Sequence, residues 1–214
     1  MKWLLLIVSI LSGSAKSILS KRVNNNVKGL KQTMRANVFL FFFAFCFVAV
    51  FAIFSVREWR LPWGLTIVYA VCVLMSQISL MKAVEFGSVA ISSLFYSFGF
   101  IIPTIWGCIY FKEGINALHI IGIVLILTSF IVSVDKKEDK PFDWKWLTAA
   151  LCGTLFSGFV GVAQKLFGIQ TIEYSLDLFL CVSFVIIILL SGVIFFISHI
   201  FEKKEPDKLT VENA

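Results

Sequence analysis

The sequence predicts an all-α, polytopic transmembrane helical bundle of about seven helices, and three observations predict it. Hydrophobic residues make up 59% of the 214-residue chain and charged residues only 15%, for a mean hydropathy of +0.92. A soluble domain carries about 25% charged and about 45–50% apolar residues, and a chain this short cannot hide the excess inside itself and still present a polar skin. The apolar residues also fall in runs close to the ~20 that cross a bilayer as a helix. Finally, the runs do not alternate. Val185–Leu190 is unbroken aliphatic sequence, whereas a membrane β-barrel shows alternating strands of about ten residues. Backbone amides in hydrocarbon must be satisfied within their own segment or in a closed barrel, so helices follow.

Seven runs are read in order: 3–20, 37–56, 63–82, 88–111, 116–134, 146–168 and 177–201. The first, with Lys2, the apolar Trp3–Leu11 and the small Ser12–Ala15, imitates a signal peptide. It continues to about Leu19, and it is read as the first transmembrane helix. The connector Lys21–Arg35 is basic and rich in Asn. Arg57–Pro62 is a short turn flanked by Trp59 and Trp63, where interfacial aromatics belong. Glu85–Ser88 turns at Gly87, and Lys112–Asn116 turns at Gly114. Asp135–Lys145 is the most charged internal stretch, and Trp144 and Trp146 mark another interface.

That stretch divides the chain into a first five-helix unit (1–135), a charged linker (136–145), a two-helix unit (146–201) and a hydrophilic tail (202–214). The first helix after the linker is similar to the first helix of the chain. Trp3 opens one and Trp146 the other, and an offset of 144 residues places Gly13 on Ser157, Ser14 on Gly158 and Lys21 on Lys165. Internal repeats are the usual construction of secondary transporters, and an odd number of helices per repeat inverts the second copy.

The net charge of +6 does not point to nucleic acid. The basic residues sit between apolar runs, as they do in loops at a membrane surface, so the expected partner is the lipid bilayer. The N-terminus and even-numbered connectors hold Lys2, Arg57, Arg60, Lys112 and Lys165, while the other side holds thirteen Lys and Arg, Lys21, Arg22, Lys28, Lys31 and Arg35 among them. That asymmetry favours an external N-terminus. Cys46, Cys72, Cys108, Cys152 and Cys181 all lie inside apolar runs without metal or redox spacing, and read as small buried hydrophobes. His119 and His199 stand far apart near helix ends. The sequence holds no HExxH, nucleophile elbow, P-loop or intramembrane Asp pair. Neither an enzyme nor a metal or cofactor is expected.

The stretch Ala83–Val134, AVEFGSVAISSLFYSFGFIIPTIWGCIYFKEGINALHIIGIVLILTSFIVSV, resembles the third-to-fifth helix region of EamA-like proteins in the drug/metabolite transporter superfamily. A small-residue turn precedes a helix with a mid-helix proline, Pro103. That helix ends at the acidic Glu113, and the next begins with Ile121-Gly122. The first helix with Lys21, and Arg35 at the start of the second, also fit. The resemblance implies ten helices in two inverted five-helix repeats around a midplane substrate cavity, with a cytoplasmic N-terminus. Against that plan this chain supplies one repeat and the first two helices of a second.

Several residues are candidates for lining such a cavity. Lys16 lies about 20 Å along the first helix at 1.5 Å per residue. It is either a cavity-facing charge or a lysine snorkelling to the far face. Gln77, inside the third helix, hydrogen-bonds a substrate or clips two helices together. Ser92 and Tyr96 share a helix face, as do Ser93 and Ser97, and a Tyr hydroxyl suits a polar metabolite or packs against a Ser. Pro103 is a candidate hinge, and Glu113 a marker of the hairpin. Gly13, Ser14, Ser157 and Gly158 allow close helix approach and are also placed to line the cavity. The expected function is a transporter of a small metabolite working by alternating access, located in the cell (plasma) membrane. The alternative is a truncated or non-transporting component that needs the missing helices, a second copy or another chain. A seven-helix receptor has only the helix count in its favour.

Overall fold

The computed structural model describes residues 30–55, 59–112, 114, 117, 120–125, 128, 143–170 and 174–203. Every regular element among them is helical. In chain order these are α1 (Leu30–Ser55), α2 (Trp63–Phe86), α3 (Val89–Ser97), a 3-10 turn (Phe98–Phe100), α4 (Ile101–Tyr110), α5 (Trp144–Gly168) and α6 (Leu176–Lys203). They supply five helices long and apolar enough to cross a membrane: Gln32–Phe54, Trp63–Phe86, Ile91–Tyr110, Trp144–Gly168 and Leu176–Ile200. The chain is a multi-pass helical membrane protein. The expected first helix, with Gly13, Ser14, Lys16 and the first half of the 144-residue match, lies outside the described residues, as does Glu113. Of the run 116–134, the structure describes helical residues at 120–125 and little else.

Two expected elements differ in shape. The helix expected to begin at 37 begins at 30. Lys31 and Arg35 hide its start from a hydropathy reading, but Thr33, Met34, Asn37 and Phe41 form one stripe, each buried, at the spacing of a single helix face. The run expected as one helix over 88–111 is two helices joined by the 3-10 turn. Proline has no N–H to give, and its ring clashes with the carbonyl four residues back. For Pro103 that residue is Gly99, the centre of the turn.

Packing follows two pairs. α1 runs antiparallel to α6 and α2 lies along α5. Contact between α2 and α6 joins the pairs, and α3, the turn and α4 lie on α5. One core cluster takes Met34 and Phe41 from α1, Ala70 and Leu74 from α2, and Ile187 from α6. A second joins Tyr69 of α2, Ala163 of α5 and Phe179 of α6, with the rings of Phe167 and Phe179 4.4 Å apart. α5 begins at Asp143, whose side chain accepts from the Lys145 backbone N–H at 2.9 Å, a satisfied N-cap. The outward face of α1 is a band of exposed phenylalanines, Phe39, Phe43, Phe47, Phe51 and Phe54. A contiguous apolar surface of this kind marks a contact with lipid or protein, and it lies on a helix already long enough to span.

Candidate functional site

Side-chain hydrogen bonds join α2, α3 and α5, while other buried polar side chains, Thr33, Asn37, Ser183 and Ser191, lie on α1 and α6. Tyr69 and Ser76 are seven residues apart on α2, two turns along one face. Gln164 of α5 donates from Nε2 to the Tyr69 hydroxyl at 3.4 Å. Ser76 Oγ lies 3.3 Å from the Tyr96 hydroxyl of α3 and donates to the Val73 carbonyl at 2.8 Å. Trp146 Nε1 of α5 donates to Ser92 Oγ of α3 at 2.9 Å. Thr154 Oγ1 reaches both the Phe95 carbonyl across the interface at 2.7 Å and the Ala150 carbonyl of its own helix at 2.9 Å. Each pair among the three helices is thus joined by a hydrogen bond between neutral groups. In hydrocarbon such bonds hold helices together and leave donors and acceptors that a polar solute can borrow.

The broken span is seated on this framework. A Cβ added to Gly99, in the 3-10 turn, would stand 2.8 Å from Ser157 Cβ and 2.9 Å from the Thr154 carbonyl oxygen, so only glycine lets the turn lie this close to α5. One turn further on, a Cβ on Gly158 would lie 2.6 Å from Ile102 Cβ, and one on Gly161 would lie 2.8 Å from Pro103 Cγ. Gly158 and Gly161 therefore form a notch that receives Ile102 and Pro103. Thr104 Oγ1 donates to the Phe100 carbonyl at 2.9 Å, an i−4 bond of the kind that bends helices.

These contacts place the expected residues. Ser92 and Tyr96 do point into the bundle, onto Trp146 and Ser76. Ser93 and Ser97 lie on the exposed side, and Ser97 bonds back to the Ser93 carbonyl at 2.9 Å. Gln77 is half-buried, and its neighbour Ser76 makes the contact to Tyr96. Ser157 and Gly158 permit close approach, and the described partner is the broken span. Pro103 lies in the Gly161 notch rather than facing an open cavity. Sequence reasoning missed Tyr69, Ser76, Thr154 and Gln164, and placed Trp146 only at an interface. The usable signals were the seven-residue spacing of Tyr69 and Ser76 and the lone amide of Gln164 in an apolar helix.

No family model, curated protein or solved structure matches the chain.

Among the described residues no three His, Cys, Asp or Glu side chains are grouped to hold a metal ion. A cavity of about 510 Å³ lies on the other helix pair, lined by Phe45, Ala49 and Ala52 of α1 and by Leu178, Cys181 and Val182 of α6, among others. Its walls are almost entirely apolar, with the Trp59 indole and the Cys181 thiol as the polar exceptions. The side-chain hydrogen bonds between helices lie instead on α2, α3 and α5.

Replacing Thr154 by alanine removes a bond between α5 and α3. The expected loss is about 1 kcal/mol, in line with the modest value of a hydrogen bond between membrane helices. Thermal unfolding in detergent reads it, and an unchanged midpoint would mean that Phe95 finds another donor.

Proposed function

We propose that the chain is a membrane transport protein that moves a small polar or amphipathic metabolite by alternating access, of the EamA-like kind that Ala83–Val134 resembles. The observation that carries this is the span broken at its middle. The 3-10 turn at Phe98–Phe100 falls at the centre of Ile91–Tyr110, beside the hydrogen-bonded residues of α2, α3 and α5. Short 3-10 stretches inside helices mark hinges. Transporters bind substrate near the bilayer midplane where a helix departs from regular α geometry, and this turn is such a departure within a span that stays helical throughout.

In this mechanism the solute enters between α2, α3 and α5 and exchanges its hydration for Tyr69, Ser76, Tyr96 and Gln164. The contacts Tyr69–Gln164 and Ser76–Tyr96, both longer than 3.2 Å, open with little penalty and let the hydroxyls turn to the solute. The helix halves α3 and α4 then reorient about the turn on the small-residue surface of α5, closing one side and opening the other. Pro103 fixes where that joint lies. The 144-residue internal match and the five-plus-two helix plan support the inverted-repeat form of this scheme. A cell-membrane location is part of the proposal.

The test is flux through the purified chain in sealed vesicles, screened with a panel of labelled neutral and zwitterionic metabolites. A saturable flux should appear for at least one class. Gln164→Leu and Tyr69→Phe should each lower it about tenfold or more while leaving the unfolding midpoint within a few degrees, as when a solute-binding group of about 1–2 kcal/mol is lost. Folded chain that passes none of the panel ends the proposal of autonomous transport. It leaves the alternative, a membrane component that needs a partner chain.

A further inference from the structure

We propose that Asn37 and Ser191 hold a single buried water molecule between α1 and α6, a polar seat inside the apolar core of that helix pair. It is independent of any transport function.

Asn37 is 6% exposed and Ser191 fully buried, yet Asn37 Nδ2 and Ser191 Oγ have no hydrogen-bond partner. Both sit within one apolar cluster. Met34 and Phe41, the residues on the Asn37 face one turn before and after it, belong to that cluster, as do Ile187 and Ile194 on either side of Ser191. Leaving a buried donor or acceptor unmade costs about 1–3 kcal/mol, and in a bilayer no bulk water arrives to relieve it.

The register brings the two groups together. The Phe41 and Phe184 rings are 5.7 Å apart and fix the level at which the antiparallel helices face each other. One turn back from Phe41 lies Asn37, and the answering level on α6 is Ile188. Ser191 is three residues beyond, about 4.5 Å along the axis at 1.5 Å per residue. Side chains on a helix lean toward its N-terminus. On antiparallel helices the Asn37 amide therefore leans toward the level of Ser191, and the Ser191 hydroxyl leans toward the level of Asn37. Neither has a partner, and in the proposal one water joins them by accepting from Nδ2 and donating to Oγ. Two polar partners meet the minimum that keeps a water buried.

Thermal unfolding of the full chain in detergent distinguishes a shared water from two separate orphans, using Asn37→Leu, Ser191→Ala and the double variant. With a shared water each single change strands the other group, so both singles should lower the midpoint by several degrees. The double, which leaves a dry apolar contact, should recover most of that loss. Singles that raise the midpoint, or effects that simply add, overturn the proposal, since additivity is the behaviour of uncoupled sites. A structure at a resolution that shows ordered water supplies the direct measurement. A peak within hydrogen-bond distance of both Nδ2 and Oγ supports the seat; an empty gap, or a direct Asn37–Ser191 bond, removes it.

Discussion

Trp146→Ala should destabilise the bundle by about 3 kcal/mol, the lower end of the range for emptying a tryptophan site, because the side chain is half-buried. The indole makes three contacts at once, two on α3 and one on the turn before it. Its Nε1 donates to Ser92 Oγ at 2.9 Å, and its ring meets the Phe95 ring edge-to-face at 5.4 Å and 81°. Its Cδ1 edge lies over Gly87, so close that a Cβ there would overlap the ring. The turn at Gly87, between α2 and α3, is thus shaped around the side chain of Trp146, far along the chain on α5. Denaturant or thermal unfolding in detergent measures the loss. Trp146→Phe should recover more than half of it, because the ring contact survives and only the indole hydrogen bond goes, at about 1 kcal/mol. An alanine variant within about 1 kcal/mol of the parent would show that the turn holds without the indole.

Gly158→Leu should have the other large effect. The Cβ alone would stand 2.6 Å from Ile102 Cβ, well inside van der Waals contact, and a leucine adds three further carbons to a space that Ile102 already fills. Overpacking of this kind costs about 1–3 kcal/mol. Here it also lifts Ile102 and Pro103 off α5, so the upper end of that range is expected. The double variant Gly158→Ala, Ile102→Gly isolates the cause, because alanine at 102 would keep the Cβ that stands 2.6 Å away. Removing that Cβ should offset most of the clash brought in by Gly158→Ala, giving the non-additivity of two groups in contact. Simple additivity would place the damage elsewhere.

Much of the bundle is legible in the sequence because each span must satisfy its own backbone in lipid, and the runs 63–82, 146–168 and 177–201 come out within a few residues of α2, α5 and α6. Packing overrode hydropathy at the start of α1. There Thr33 looks like a connector residue, yet it is buried against the bundle. Pro103 foretold a disturbance in the fourth run, but its site is set by the carbonyl that the ring would strike, four residues upstream. The polar framework was half visible. Ser92 and Tyr96 announce a face by their four-residue spacing, whereas Thr154 and Gln164 matter only because α5 lies between α2 and α3, and no local pattern records which helices become neighbours. Gln77 and Ser76 show the same limit. Adjacent residues point about 100° apart on a helix, and the tertiary neighbours decide which of them is used.

The break in the fourth span also sets how this protein meets the two leaflets. α3 has nine residues and α4 ten, so each is a rod of about 14–15 Å at 1.5 Å per residue. That is half of a hydrocarbon layer ~30 Å thick. Each rod is therefore about as long as one leaflet's hydrocarbon is thick. An unbroken helix answers a thicker or thinner bilayer by tilting as a whole. Here α3, the turn and α4 all pack on α5, so this span answers a change of thickness together with α5.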